Sequence, residues 1–198
     1  MTERPILMSG PMVRAILDGR KTQTRRIIDQ DLVELDDEGK LVFVHSPKCP
    51  GFCDYACAAE GETRRNHIGY SKYGQVGDRL WVRETFCDDY RWASEEDQSK
   101  IAYRADSIEL PSLYKWKPSI HMPRWASRIL LDITDVRVER LQEISEEDAK
   151  AEGCWLGNPK SAIVSIDPPD FRELWNSIYK NWEENPWVWV IEFKRIKP

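Results

Sequence analysis

No run of apolar residues in this chain approaches the ~20 that a membrane-spanning helix requires, and the N-terminus lacks the apolar stretch of a secretory leader. Both absences point to the cytosol. Cysteines number five, an odd count that makes a complete disulfide framework a poor expectation and leaves reduced thiols or metal ligands instead. Histidines number only three, and no Ser, His, Asp arrangement, Walker pattern or Gly-rich phosphate loop stands in the 198 residues. A basic excess is missing as well. The net charge of -5 argues against a general polyanion binder, since non-specific nucleic-acid affinity comes mainly from phosphate neutralisation.

What the chain does have is 41% hydrophobic residues and nine tryptophans, enough to bury a core in one domain. Several tryptophans lie in period-two patterns, as strands require. Pro11 to Leu17 reads as a short helix stopped by Gly19. Leu41 to Val44, after the Asp37, Glu38, Gly39 turn, reads as half of an inserted hairpin. Arg79 to Phe86 reads as a core strand, and Ile101 to Tyr103 as a short one. From Ser127 to Leu141 the apolar parity changes between Ile133 and Val136, which predicts a long central strand carrying a bulge. Ser145, Glu146, Glu147, Asp148 has capping-box form and opens a helix that runs to about Glu152 before Gly153. Asp170 caps a further helix through Tyr179, and the chain closes on an alternating strand from Trp187. Strands with a few short helices predict an α+β fold built on a small mixed barrel.

The segment Gly19 to Arg26 places Lys21 and Thr24 three residues apart among Arg20, Arg25 and Arg26. An amine and a hydroxyl at that spacing can serve as base and nucleophile where the fold removes water from the lysine; a solvated basic strand is the bland alternative.

Taken together, Gly19 to Arg25 after a helix, the Val76, Gly77, Asp78 turn into a strand, Ile144 to Gly153, and Trp189 to Phe193 resemble the ASCH superfamily in composition and order. Ser119 to Trp125 resembles phage and prophage members. The resemblance implies one PUA-like β-barrel domain over residues 1–198, with flanking short helices and insertions at about 29–73 and 86–124. One bacterial group within it, the N4-acetylcytidine amidohydrolases, is similar in the lysine and threonine spacing and uses a Lys, Thr, Glu triad. That implies Lys21 as base, Thr24 as nucleophile and Glu152 as the carboxylate, with Glu84 as the competitor. Arg20, Arg25, Arg26, Glu84 and His121 are then substrate-binding candidates, and no catalytic cofactor is needed. The substrate would be an N4-acylated cytidine. To act as base Lys21 must be neutral, which neighbouring arginines favour and a nearby carboxylate opposes.

PUA-like domains also resemble RNA-binding modules, and Trp81, Tyr103, Trp116 and Trp125 are candidate stacking surfaces for a non-catalytic reading. For the remaining alternative, a ribonuclease, the sequence offers no clear acid and base pair. Cys49, Cys53 and Cys57 are spaced by four, with His45 and His67 flanking them, a candidate structural zinc site in a long loop. Cys87 and Cys154 read as small buried hydrophobes.

Overall fold

Three local signals set the frame around the site: a proline that opens the first helix, a serine that caps the second and an aspartate that caps the third. In the computed structural model, which describes residues 1–29, 33–35, 41–43, 71–88, 101–106, 115–154 and 170–196, these become α1 (Gly10–Leu17), α2 (Glu146–Ala151) and α3 (Phe171–Ile178). Ser145 accepts from the Asp148 N–H, and Asp170 accepts from Arg172 and Glu173, as N-caps should.

The strands are β1 (Glu3–Leu7), β2 (Gln23–Ile27), β3 (Val33–Leu35), β4 (Leu41–Phe43), β5 (Arg79–Arg83), β6 (Phe86–Cys87), β7 (Ala102–Tyr103), β8 (Leu130–Arg140) and β9 (Trp187–Ile196). Five of them form one mixed sheet in the order β1, β5, β8, β9, β2, parallel only between β1 and β5. The fold is α+β. β3 pairs with β4 as the expected inserted hairpin, and β6 pairs with β7. The strand expected over Arg79 to Phe86 divides in two. At the break the Glu84 N–H turns to the Met122 sulfur and the Thr85 carbonyl accepts from Arg104, which starts the second ladder. β1, which sequence reasoning missed, is held by β5.

β1 and β2 form the two edges, and no ladder joins them among the described residues, so the sheet is open there. The Arg26 guanidinium nevertheless crosses from β2 to donate to the Leu7 carbonyl at the end of β1, at 2.7 Å. α1 connects these edge strands and packs Val13 and Ile16 into the main core.

The bulge in β8 falls where the parity change places it. Register shifts between Ile133 and Asp135, and this single extra residue lets Leu131, Ile133, Val136 and Val138 all face the same core. β9 is buried on both faces. Trp189, Ile191 and Phe193 enter the main core, whereas Val188 and Val190 enter a second one with Phe171 and Trp175 of α3. Cys49, Cys53, Cys57, His45 and His67 lie outside the described residues. No described helix is long and apolar enough to cross a membrane.

Candidate active site

Two helix ends meet here. α1 stops at Gly19, whose φ of +76° is easy for glycine, and the Arg20 and Lys21 N–H groups return to the Ala15 carbonyl. α2 stops at Glu152, followed by Gly153 at φ +78° and a Cys154 N–H bond to the Ala149 carbonyl. The ends are stitched by the Thr22 N–H to the Ala151 carbonyl at 2.8 Å. A Cβ at Gly153 would lie 3.1 Å from Ala15 Cβ, so only glycine fits both the dihedral and the gap.

This junction brings Lys21 to Glu152. The lysine Nζ donates to Glu152 Oε2 at 2.5 Å and to the Glu152 main-chain carbonyl at 2.9 Å. Their side chains are 0% and 4% exposed. A cation at the C-terminal turn of a helix also meets carbonyls that the helix leaves unpaired.

Arg25 completes the polar floor, with a side chain 0% exposed. Its Nη2 donates to Glu139 Oε2 at 2.9 Å and Asp148 Oδ2 at 3.0 Å, while Nη1 stands 3.6 Å from Glu152 Oε1. Burial works against the charge on Asp148, but Arg25 and Ser145 outweigh it and hold that carboxyl below its usual range. Arg137 extends the network, meeting Asp135, Glu139, Asp148 and Glu192.

A depression lies along β2. Met12, Thr24, Arg25, Arg26 and Glu152 line it together with Phe171, Leu174, Trp175, Ile178 and Tyr179 of the α3 region. β2 is an edge strand, so residues from both of its faces reach this space. The enclosed part holds about 10 Å³, room for a single water, within about 270 Å³ counted out to open solvent. An apolar wall facing a few polar groups is the usual make-up of a small-molecule site.

No protein-family model, curated protein or solved structure matches this chain.

The other sequence candidates lie elsewhere. Arg20 is exposed and pairs with Asp18, and His121 is exposed on the 3-10 turn Ser119–His121. Glu84 belongs to a separate cluster, in which Arg128 grips it through Nε at 2.9 Å and Nη2 at 3.1 Å while also holding Asp106 and covering the Tyr103 ring at 4.0 Å. Burial pushes the Glu84 carboxyl above its ordinary range despite that arginine. Arg83 lies over Trp81 and Arg104 over Trp116, and Trp125 is 66% exposed. No group of three metal-ligating side chains converges among the described residues. Glu139 and Asp148, which meet Arg25, were missed by sequence reasoning. Their signal is indirect: an arginine in a strand buried on both faces requires carboxylates nearby.

Proposed function

We propose that this chain is an ASCH-type domain that deacylates N4-acylated cytidine, with Thr24 as nucleophile, Lys21 as base and Glu152 as the carboxylate that holds Lys21. One observation carries the reading: Glu152 lines the same cavity as Thr24, and its Oε2 grips a fully buried lysine. The sheet whose edge strands are tied by Arg26 supports a curled, PUA-like arrangement. The enclosed part is small and the depression opens to solvent, so a nucleoside would rest in the mouth with its acyl amide toward Thr24.

The chemistry runs in two halves. In the reactive state a proton passes from Lys21 Nζ to Glu152 Oε2 along the hydrogen bond that joins them. The neutral amine takes the Thr24 hydroxyl proton as the oxygen attacks the acyl carbon, then returns it to the departing N4 nitrogen, leaving an acyl-threonine and cytidine. Water repeats the sequence on the ester and frees the acid.

The test is incubation with N4-acetylcytidine, with chromatography of the products. Wild type is expected to release cytidine, and Thr24→Val and Lys21→Met to lose at least about 100-fold in kcat. Activity persisting in both variants would remove the triad. No release by wild type, with binding of single-stranded RNA that falls steeply with salt, would favour the non-catalytic module.

A further inference from the structure

Charged side chains are almost never fully buried unless an opposite charge meets them, because stripping water from a lone charge is costly. Lys21, Arg25 and Arg26 are the buried cations among the described residues. Lys21 meets Glu152, and Arg25 meets Glu139, Asp148 and Glu152. Arg26, only 9% exposed, meets no carboxylate among the described residues. Its Nη2 donates to the Leu7 carbonyl at 2.7 Å and lies 3.5 Å from the Met8 sulfur, and neither partner carries a charge. Holding a carbonyl takes one N–H, which a neutral side chain also supplies, so the tie between β2 and β1 gives no reason for a full charge.

The rest of this guanidinium borders the depression. Arg26 lines it, and its Nε and Nη1 are neither hydrogen-bonded among the described residues nor sealed from solvent as the Nε and Nη1 of Arg25 are. Side-chain alternation in β2 sets Arg26 on one face with Thr24, opposite Trp189 and Ile191, and Arg25 on the other face, opposite Val190. Glu139 and Asp148, which Arg25 holds, belong to that other face. Glu152, the carboxylate that lines the depression, is already taken by Lys21 at 2.5 Å and stands 3.6 Å from Arg25. A buried cation without a counter-ion therefore meets open space.

Its complement is an anion whose remainder is apolar. The lining also includes Leu174, Ile178 and Trp175, whose indole N–H is spent on Asn181. A phosphate carries four oxygens, and such a wall leaves those that face away from the arginine without donors. A small aliphatic carboxylate turns two oxygens to the guanidinium and an alkyl chain to the wall. We propose that the Arg26 end of the depression binds a small aliphatic carboxylate, its head on the guanidinium and its chain along Leu174 and Ile178. On the deacylase reading this anion is the acid that the reaction releases, and that identification alone rests on the reading. Water on the acyl-threonine frees the acid, the acid gives its proton to solvent, and the carboxylate pairs with Arg26, two residues and roughly 7 Å along the strand from Thr24. The acid then competes with substrate for the depression.

The probes are sodium butyrate, its neutral isostere butyramide, and inorganic phosphate. Each is titrated into the full-length protein at ionic strength held constant with sodium chloride, and the Arg26 Nε–H resonance is followed by 15N-edited NMR. Butyrate is expected to give saturable shifts with a Kd at least about tenfold below that of butyramide and below that of phosphate. Arg26→Gln, which keeps an N–H donor and loses the charge, should weaken butyrate at least about tenfold and butyramide by less than about twofold, read on backbone resonances of the lining residues. Equal binding of butyrate and butyramide by wild type, or no saturable butyrate shift, overturns the proposal without reference to any variant. Phosphate binding more tightly than butyrate overturns it in favour of a phosphate-bearing ligand. Butyrate binding without hydrolysis of N4-acetylcytidine would sink the deacylase and leave the carboxylate site; hydrolysis that butyrate neither binds nor inhibits would do the reverse.

Discussion

Lys21 Nζ donates to both the carboxylate and the main-chain carbonyl of Glu152, a residue 131 positions further along the chain. The contact joins the end of α1 to the end of α2 and takes both charges out of water. Removing one member of such a pair strands the other and costs about 3–5 kcal/mol, whereas replacing both with apolar side chains of similar volume is often close to neutral.

A double-mutant cycle follows from this. Lys21→Met and Glu152→Leu are each expected to lower the unfolding free energy by about 3–5 kcal/mol in urea titrations. The double variant should lose much less than the sum, and all three should be inactive toward N4-acetylcytidine. Additive losses would show that the pair is not energetically coupled.

The place of Glu152 at the end of α2 is legible in the sequence because the signals beside it are strong. Ser145 caps α2, Gly153 ends it, and only six helical residues lie between cap and carboxylate, so the register has little room to slip. The bulge in β8 is legible for a similar reason, since a change of apolar parity has few other causes. β1 is not. It pairs in parallel with β5, 76 residues away at Glu3 and Arg79, and a five-residue edge strand with one buried side chain carries almost no alternation. The division of labour among the arginines is equally hidden. Arg20, Arg25 and Arg26 stand within seven residues, yet one pairs with Asp18 at the surface, one meets two carboxylates in the interior and one ties β2 to β1. Which face and which edge each occupies depends on strand order, a property of the whole sheet.

Two buried carboxyls should move stability with pH in opposite directions. Asp78 accepts from the Thr2 N–H at 2.7 Å and the Gln75 N–H at 3.3 Å, which hold it below the ordinary 3.8 against the effect of burial. Its contribution is present above that value and is lost as pH falls through the lower folded value. Glu84 is raised above 4.5 by burial, so its contribution is present below 4.5 and is lost as pH rises through the higher folded value. Measured as variant minus wild type, the unfolding free energy of Asp78→Asn should become more negative as pH rises through the acid range. That of Glu84→Gln should become more positive as pH rises above about 4.5. Chemical denaturation across this range reads both slopes, and slopes of the same sign would refute the assignment.

Cys154 stands beside the candidate site and packs into the second core. The residue is 3% exposed, its Sγ lies 3.9 Å from the Glu152 carbonyl, and burial pushes the thiol up to about 12, with Lys21 pulling only partly the other way. At pH 8 the thiolate is then roughly one part in ten thousand, too little for a nucleophile or a ready target of alkylation. Iodoacetamide labelling of the folded protein, mapped by peptide mass spectrometry, should leave Cys154 unmodified over times that label an exposed thiol fully, and urea should abolish the protection. Cys154→Ala removes a buried sulfur from the second core and should cost about 1 kcal/mol, with deacylation kept within about twofold of wild type. Labelling of the native thiol at the rate of a free cysteine, or loss of turnover in a folded Cys154→Ala protein, would place the sulfur in the reaction and displace Thr24 as the proposed nucleophile.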